Sequence, residues 1–133
     1  MGNGALISGI GTVIRSLSPK TRVIGVQPEQ AATMYLSWKE RRPLRLDRIS
    51  TIADGLASRV AVPDAVDLML KVVDEMFLVS EQQILDAMDL VIKAESRIIE
   101  PSAAAAIAAL GLPELRARDV VAIMTGRNYE PSR

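Results

Sequence analysis

The sequence predicts an α/β fold, a parallel sheet flanked by helices. Short, near-continuous aliphatic runs at residues 22–27, 76–79 and 120–124 read as strands buried on both faces. Longer segments with apolar residues three or four apart alternate with them, and that alternation implies parallel strands covered by helices. Ahead of all of these stands Met1-Gly2-Asn3-Gly4-Ala5-Leu6-Ile7, a small-residue loop running into a helix. Its glycines let successive N–H groups face one concavity. The helix start adds unpaired N–H groups and the positive end of the helix dipole. Together these make an anion cradle, whose usual guest is phosphate.

In chain order, a first helix is expected over 5–17, with apolar residues at positions 6, 7, 10, 13, 14 and 17. Gly9 and Gly11 weaken it by about 1 kcal/mol each relative to Ala, and they mark close packing against a neighbour. Ser18-Pro19 ends it, because a residue before proline avoids the α region. The strand at 22–27 stops at Pro28, and 29–41 reads as a second helix with Ala31, Met34, Tyr35 and Trp38 on one side. Residues 44–62 lack a period and turn at Asp54-Gly55; a loop this long in a compact domain is usually functional. Pro63 and Asp64 open a third helix, reaching about residue 74.

After the strand at 76–79, Ser80-Glu81-Gln82-Gln83 forms a capping box. The helix it opens extends to about residue 96, with Ile84, Leu85, Met88, Val91 and Ile92 on one face. Glu100 is extended and Pro101 starts a helix of almost wholly small residues, which a neighbour can approach closely. Gly111 is placed to end that helix in the left-handed region. The strand at 120–124 leads into the loop Thr125-Gly126-Arg127-Asn128 and a tail of five residues.

Composition narrows the chemistry. The 133 residues suffice for one domain with a real core, and with one Trp, two Tyr and one Phe that core must be aliphatic. Acidic and basic residues balance at 16 each, so no net field draws nucleic acid or an anionic membrane. Without Cys or His there are no disulfides, thiolate nucleophiles, imidazole bases or usual zinc sites. No apolar run approaches the roughly 20 residues of a membrane helix, and no signal peptide is recognisable. A cytoplasmic setting is the expectation that remains.

Several blocks match one family together and in order. They are Gly2-Asn3-Gly4-Ala5-Leu6-Ile7-Ser8-Gly9, Val23-Ile24-Gly25-Val26-Gln27-Pro28-Glu29, Thr51-Ile52-Ala53-Asp54-Gly55, Val79-Ser80-Glu81, Ile99-Glu100-Pro101 and Thr125-Gly126-Arg127-Asn128. Nearly the whole chain resembles the second half of threonine/serine dehydratases and serine racemases, pyridoxal-phosphate enzymes of the tryptophan-synthase-β fold type. The resemblance implies part of the large domain of that fold, spanning 1–133, without its N-terminal half and without the small domain. It implies pyridoxal phosphate as cofactor, held through backbone N–H groups of Gly2, Asn3, Gly4 and Ala5 with Leu6 opening the helix. Gly55 would line the ring and Glu100 would lie close to it. Thr125 stands where the family usually has Ser or Cys bonded to the ring nitrogen. A hydroxyl there makes a milder electron sink, suited to β-elimination. Arg127 replaces a common glycine.

Members that bind a divalent cation use acidic side chains where this chain has Gln27 and Thr33, plus a carbonyl at the equivalent of Ala31. Neutral ligands make a poor hard-cation site, so no metal is expected. The family's Schiff-base lysine lies in a Ser-x-Lys-x-Arg-Gly block near its N-terminus, which this sequence lacks. Lys20, Lys39, Lys71 and Lys93 all fall at helix ends or on polar helix faces, and none is nominated as catalytic. The resemblance therefore implies a truncated ammonia-lyase, inactive alone, that acts on a hydroxy amino acid only when completed. The alternatives are a non-catalytic remnant serving oligomerisation or partner binding, and a generic phosphate-binding module. An incomplete sheet leaves an edge that a second copy or a companion chain must cover.

Overall fold

The computed structural model describes residues 1–116 and 118–126. At its centre two parallel strands, β1 (Ile24–Pro28) and β2 (Glu75–Val79), pair in register from Ile24 with Glu75 to Pro28 with Val79. Helix α1 (Ala5–Leu17) precedes β1. The crossover to β2 carries α2 (Thr33–Glu40) and α3 (Pro63–Val72). Helices α4 (Glu81–Glu95) and α5 (Pro101–Ala108) follow β2.

Side-chain alternation divides the core between the two faces of this ribbon. On one face Val23 and Met76 pack with Met34 of α2 and Val66, Met69 and Val72 of α3. Helix α1 lies on α3. On the other face Ile24, Val26, Phe77 and Val79 meet Ile84, Met88 and Val91 of α4 and the alanines of α5. Each fully buried aliphatic side chain contributes about 1.5–3 kcal/mol. The run Ala103, Ala104 and Ala105 is buried because nothing larger fits as α5 closes on α4 and β1.

The capping box forms as the sequence predicts. Gln83 N–H donates to Ser80 Oγ at 3.2 Å, and Ser80 N–H donates to Gln83 Oε1 at 2.8 Å. The loop after α2 is less irregular than its composition suggests. Arg45 and Val60 form an antiparallel bridge, flanked by Leu46 N–H to Arg59 O and Ala61 N–H to Leu44 O, each 2.9 Å. The bridge folds 44–62 back on itself and presents Gly55 within a short 3-10 turn, Asp54–Leu56.

Four expectations change. Residues 29–41 are not one helix: Glu29–Ala31 is a 3-10 turn and α2 starts at Thr33, because the chain must bend at Ala32 to bury Thr33, Met34 and Ser37 beside the sheet. Helix α5 tightens into the 3-10 turn Ala109–Gly111, and Gly111 is not among the residues of positive φ. Gly11 does mark close packing, since a Cβ there would stand 2.6 Å from Val72 Cγ2, but Gly9 faces open space. Residues 120–124 form no strand among the described residues: Val121 is 86% exposed and no chain lies alongside to complete a ladder. Arg127, Asn128 and the tail fall outside the described residues. Among those described, no helix is long and apolar enough to cross a membrane.

Candidate functional site

The glycine loop lies beside β1, at the carboxyl end of the strand. Met1 N–H donates to Val26 O, and the Gln27 side-chain amide donates to Met1 O at 3.1 Å. Burial lowers the Met1 amine to about 5. Met1 thus lies along β1 at Val26 and Gln27.

From there the chain turns through Gly2 and Asn3 into α1. Gly4 is the N-cap, with φ of +90°, a left-handed conformation that a side chain would strain. No side chain caps α1; the first intrahelical bond is Ser8 N–H to Gly4 O at 3.0 Å. Asn3 bends over its own loop, and its Oδ1 accepts from Ala5 N–H at 3.2 Å. The next first-turn donors, on Leu6 and Ile7, have no side-chain acceptor among the described residues. Leu6 is 55% exposed, so it offers this loop a backbone N–H and not an apolar wall.

Three further segments converge on Gly2. A Cβ on Gly2 would stand 3.0 Å from Gly55 O, so the two backbones touch. A Cβ on Gly55 would stand 2.7 Å from Ser102 Oγ, in the first turn of α5. A Cβ on Gly126 would overlap the carboxylate of Glu100, the N-cap of α5. Gly126 has φ of +119° and directly follows the exposed Thr125. Gly2, Gly55, Glu100 and the Thr125 loop therefore form one contiguous wall, although they lie up to 124 positions apart in sequence. The loop bearing Gly55 is held from behind by Glu81, whose Oε2 accepts from Ile52 N–H at 2.8 Å.

Two residues of this wall escaped sequence reasoning. Ser102 places a buried hydroxyl against Gly55, and that oxygen has no hydrogen-bond partner among the described residues. Gln27 is completely buried and holds the loop from beneath. Its signal was an amide inside an aliphatic strand, which has to be satisfied by something specific. Lys20, Lys39, Lys71 and Lys93 are all exposed. An open groove of about 500 Å³ runs between α1 and α3, but it shares only Asn3 and Ala5 with the glycine loop. Its mouth carries Asp64, which disfavours an anion.

A family profile described as pyridoxal-phosphate dependent enzyme matches residues 1–126. The biosynthetic L-threonine dehydratase of Halalkalibacterium halodurans is 33% identical over 135 residues, covering 100% of this chain and 32% of that protein. The L-threonine ammonia-lyase of Thermotoga maritima is 33% identical over 131 residues, covering 98% of this chain and 33% of that protein. Among solved structures, threonine deaminase isoform 2 from Solanum lycopersicum superposes with a TM-score of 0.92 at 34% identity, over 98% of this chain and 37% of that one. The serine racemase from Dictyostelium discoideum does so with a TM-score of 0.86 at 30% identity, over 98% and 42%. The chain thus spans about a third of the length of these two curated relatives. Profile, relatives and fold agree: the chain belongs to the pyridoxal-phosphate dependent enzyme family.

Proposed function

We propose that this chain carries the phosphate-and-ring wall of a pyridoxal-phosphate site in a threonine/serine ammonia-lyase, and that residues 1–133 alone are inactive without the rest of that fold. The observation that carries the reading is the convergence of Gly2, Gly55, Glu100 and Gly126 beside the start of α1. The residues fit the cofactor. Glycine at positions 2 and 55 brings those two segments into contact, and Gly4 allows the left-handed turn into α1, which suits a flat ring with an anionic tail. First-turn N–H groups of α1 remain for the phosphate oxygens. In this reading Ala5 N–H, bonded by the exposed Asn3 side chain, is a further donor that an anion would compete for.

When bound, pyridoxal phosphate supplies an electron sink for β-elimination from a hydroxy amino acid. In this reading the N–H groups of Gly2, Asn3, Gly4 and Ala5, with Leu6 at the helix start, orient the phosphate, Gly55 bounds one side of the ring, and Thr125 offers a neutral hydroxyl to the ring nitrogen. Glu100 keeps its carboxylate against Gly126 and so holds the Thr125 loop to α5. Lys20, Lys39, Lys71 and Lys93 are exposed, so the amine that would bind the cofactor and move the substrate's α-proton comes from the part of the fold outside residues 1–133. That further part is supported by residues 120–124, aliphatic and in no strand among the described residues, and by the chain's one-third share of its relatives' length. A cytoplasmic setting is part of the same reading. The exposed stripe Leu6, Val13 and Leu17 on α1 also favours a second reading, a non-catalytic association module.

Titration calorimetry with 4′-deoxypyridoxine 5′-phosphate separates the two. This analogue lacks the aldehyde and cannot label surface lysines. The first reading expects saturable binding that Gly2→Val removes, and no ammonia from L-threonine or L-serine by the chain alone. No binding together with stable self-association would leave the second reading standing.

A further inference from the structure

We infer that Gln27 is a positioning residue for the glycine loop, its side-chain amide setting where Gly2 lies against Gly55. The inference deepens the cofactor reading, and only its ligand-binding arm rests on it. Gln27 is the penultimate residue of β1 and faces the α2–α3 side of the ribbon, completely buried. A buried amide destabilises unless both of its ends are bonded, and here both are. Oε1 accepts from Tyr35 N–H at 2.8 Å, in the first turn of α2. Nε2 donates to Met1 O at 3.1 Å and reaches Gly2 O at 3.5 Å.

One side chain therefore joins three parts, the strand, the start of α2 and the loop. Among the unbranched side chains of this length, glutamine is the one that, uncharged, carries both a donor and an acceptor at its end. Glutamate would set a carboxylate against two carbonyl oxygens, and methionine would leave Tyr35 N–H and both carbonyls unpaired. The hydrogen bonds engage the carbonyls of Met1 and Gly2, which leaves the N–H groups of the following turn for an anion. A loop held in this way meets its ligand without first being ordered, whereas a loosened loop loses affinity by the cost of that ordering.

The test compares Gln27→Met and Gln27→Glu in the full chain with Val66→Ala, a substitution in the hydrophobic cluster on the same face of the ribbon that removes no hydrogen bond. Gln27→Asn, one methylene shorter, serves if the others do not fold. Amide hydrogen exchange at Ala5 and Ser8, the bonded donors of the loop and of the first helical turn, and the dissociation constant for 4′-deoxypyridoxine 5′-phosphate, are read well below every Tm. In the Gln27 variants exchange quickens and binding weakens, each by about tenfold, the scale set by one lost buried hydrogen bond. Val66→Ala lowers Tm and leaves both unchanged. Gln27 variants that lower Tm like Val66→Ala, with loop exchange and affinity untouched, would overturn the inference. If the native chain fails to bind the analogue, the cofactor reading falls, and loop exchange alone still decides the role of Gln27.

Discussion

Residues 23–27 and 120–124 are nearly matched in character, both short, aliphatic and rich in β-branched side chains, yet they occupy opposite environments. The first forms most of β1, with β2 and Met1 along it and a helix pair on each face. The second is exposed and forms no ladder among the described residues. Helix α1 repeats the contrast on one element. Its inner line, Ser8 and Gly11, is buried against α3, while Leu6, Val13 and Leu17 face outward. Aliphatic pattern marks a surface that can be buried; a strand or a core exists only where a second surface arrives to bury it.

The largest test of this contrast places one charge in each environment. Val79 is fully buried in β2, so Val79→Asp strands a carboxylate in the core and costs at least about 3 kcal/mol. Val121→Asp, at an exposed position, changes stability by no more than about 0.5 kcal/mol. Urea denaturation of both variants checks this, and equal losses would mean that 120–124 is packed in solution.

Glycine-to-alanine exchanges on the two sides of α1 give the next effect. Gly11→Ala drives a methyl into Val72 and costs about 1–3 kcal/mol by overpacking. Gly9→Ala meets nothing within 4 Å and stabilises the helix by about 0.5–1 kcal/mol. Opposite shifts in Tm are the expected result.

The smallest effect concerns the clasp that holds the inner line. Asp74 accepts from Arg15 at 2.5 Å and from Val23 N–H at 2.7 Å, tying the end of α1 to the entry of β1. Burial pushes the Asp74 carboxyl up, but its bonds to Arg15 and Val23 and the charges of Arg15 and Arg22 bring it below its ordinary value. A carboxyl whose folded pKa is depressed stabilises fully above its unfolded pKa, near about 3.9, and loses that contribution as pH falls through the folded value. Asp74→Asn should cost about 1–2 kcal/mol at neutral pH. Its deficit relative to the native chain should shrink below about pH 4, as acid titration of the two stabilities will read.

Much of the architecture was legible because its causes are local. The Ser80–Gln83 box, Pro63 and Pro101 at helix starts, and the period of α3 and α4 each depend on residues within a few positions of one another. The ordered motif blocks also carried the family, since Gly2, Gly55, Glu100 and Thr125 were named before any contact between them was visible. The rest was not legible. That Ala32 breaks the second helix, that Gly9 is open while Gly11 is pressed by Val72, and that Ser102 lies against Gly55 all depend on partners 30 or more residues away.

By itself, then, the sequence determined the helix starts at Pro63, Ser80 and Pro101, two of the three expected strands, and which family the chain belongs to, because backbone preference and apolar period are short-range properties. Only the tertiary structure decided which apolar faces are covered, how Gln27 fastens the loop from beneath, and which distant residues form one wall. Burial and hydrogen bonding between remote segments depend on where the chain returns in space, and no local pattern encodes that.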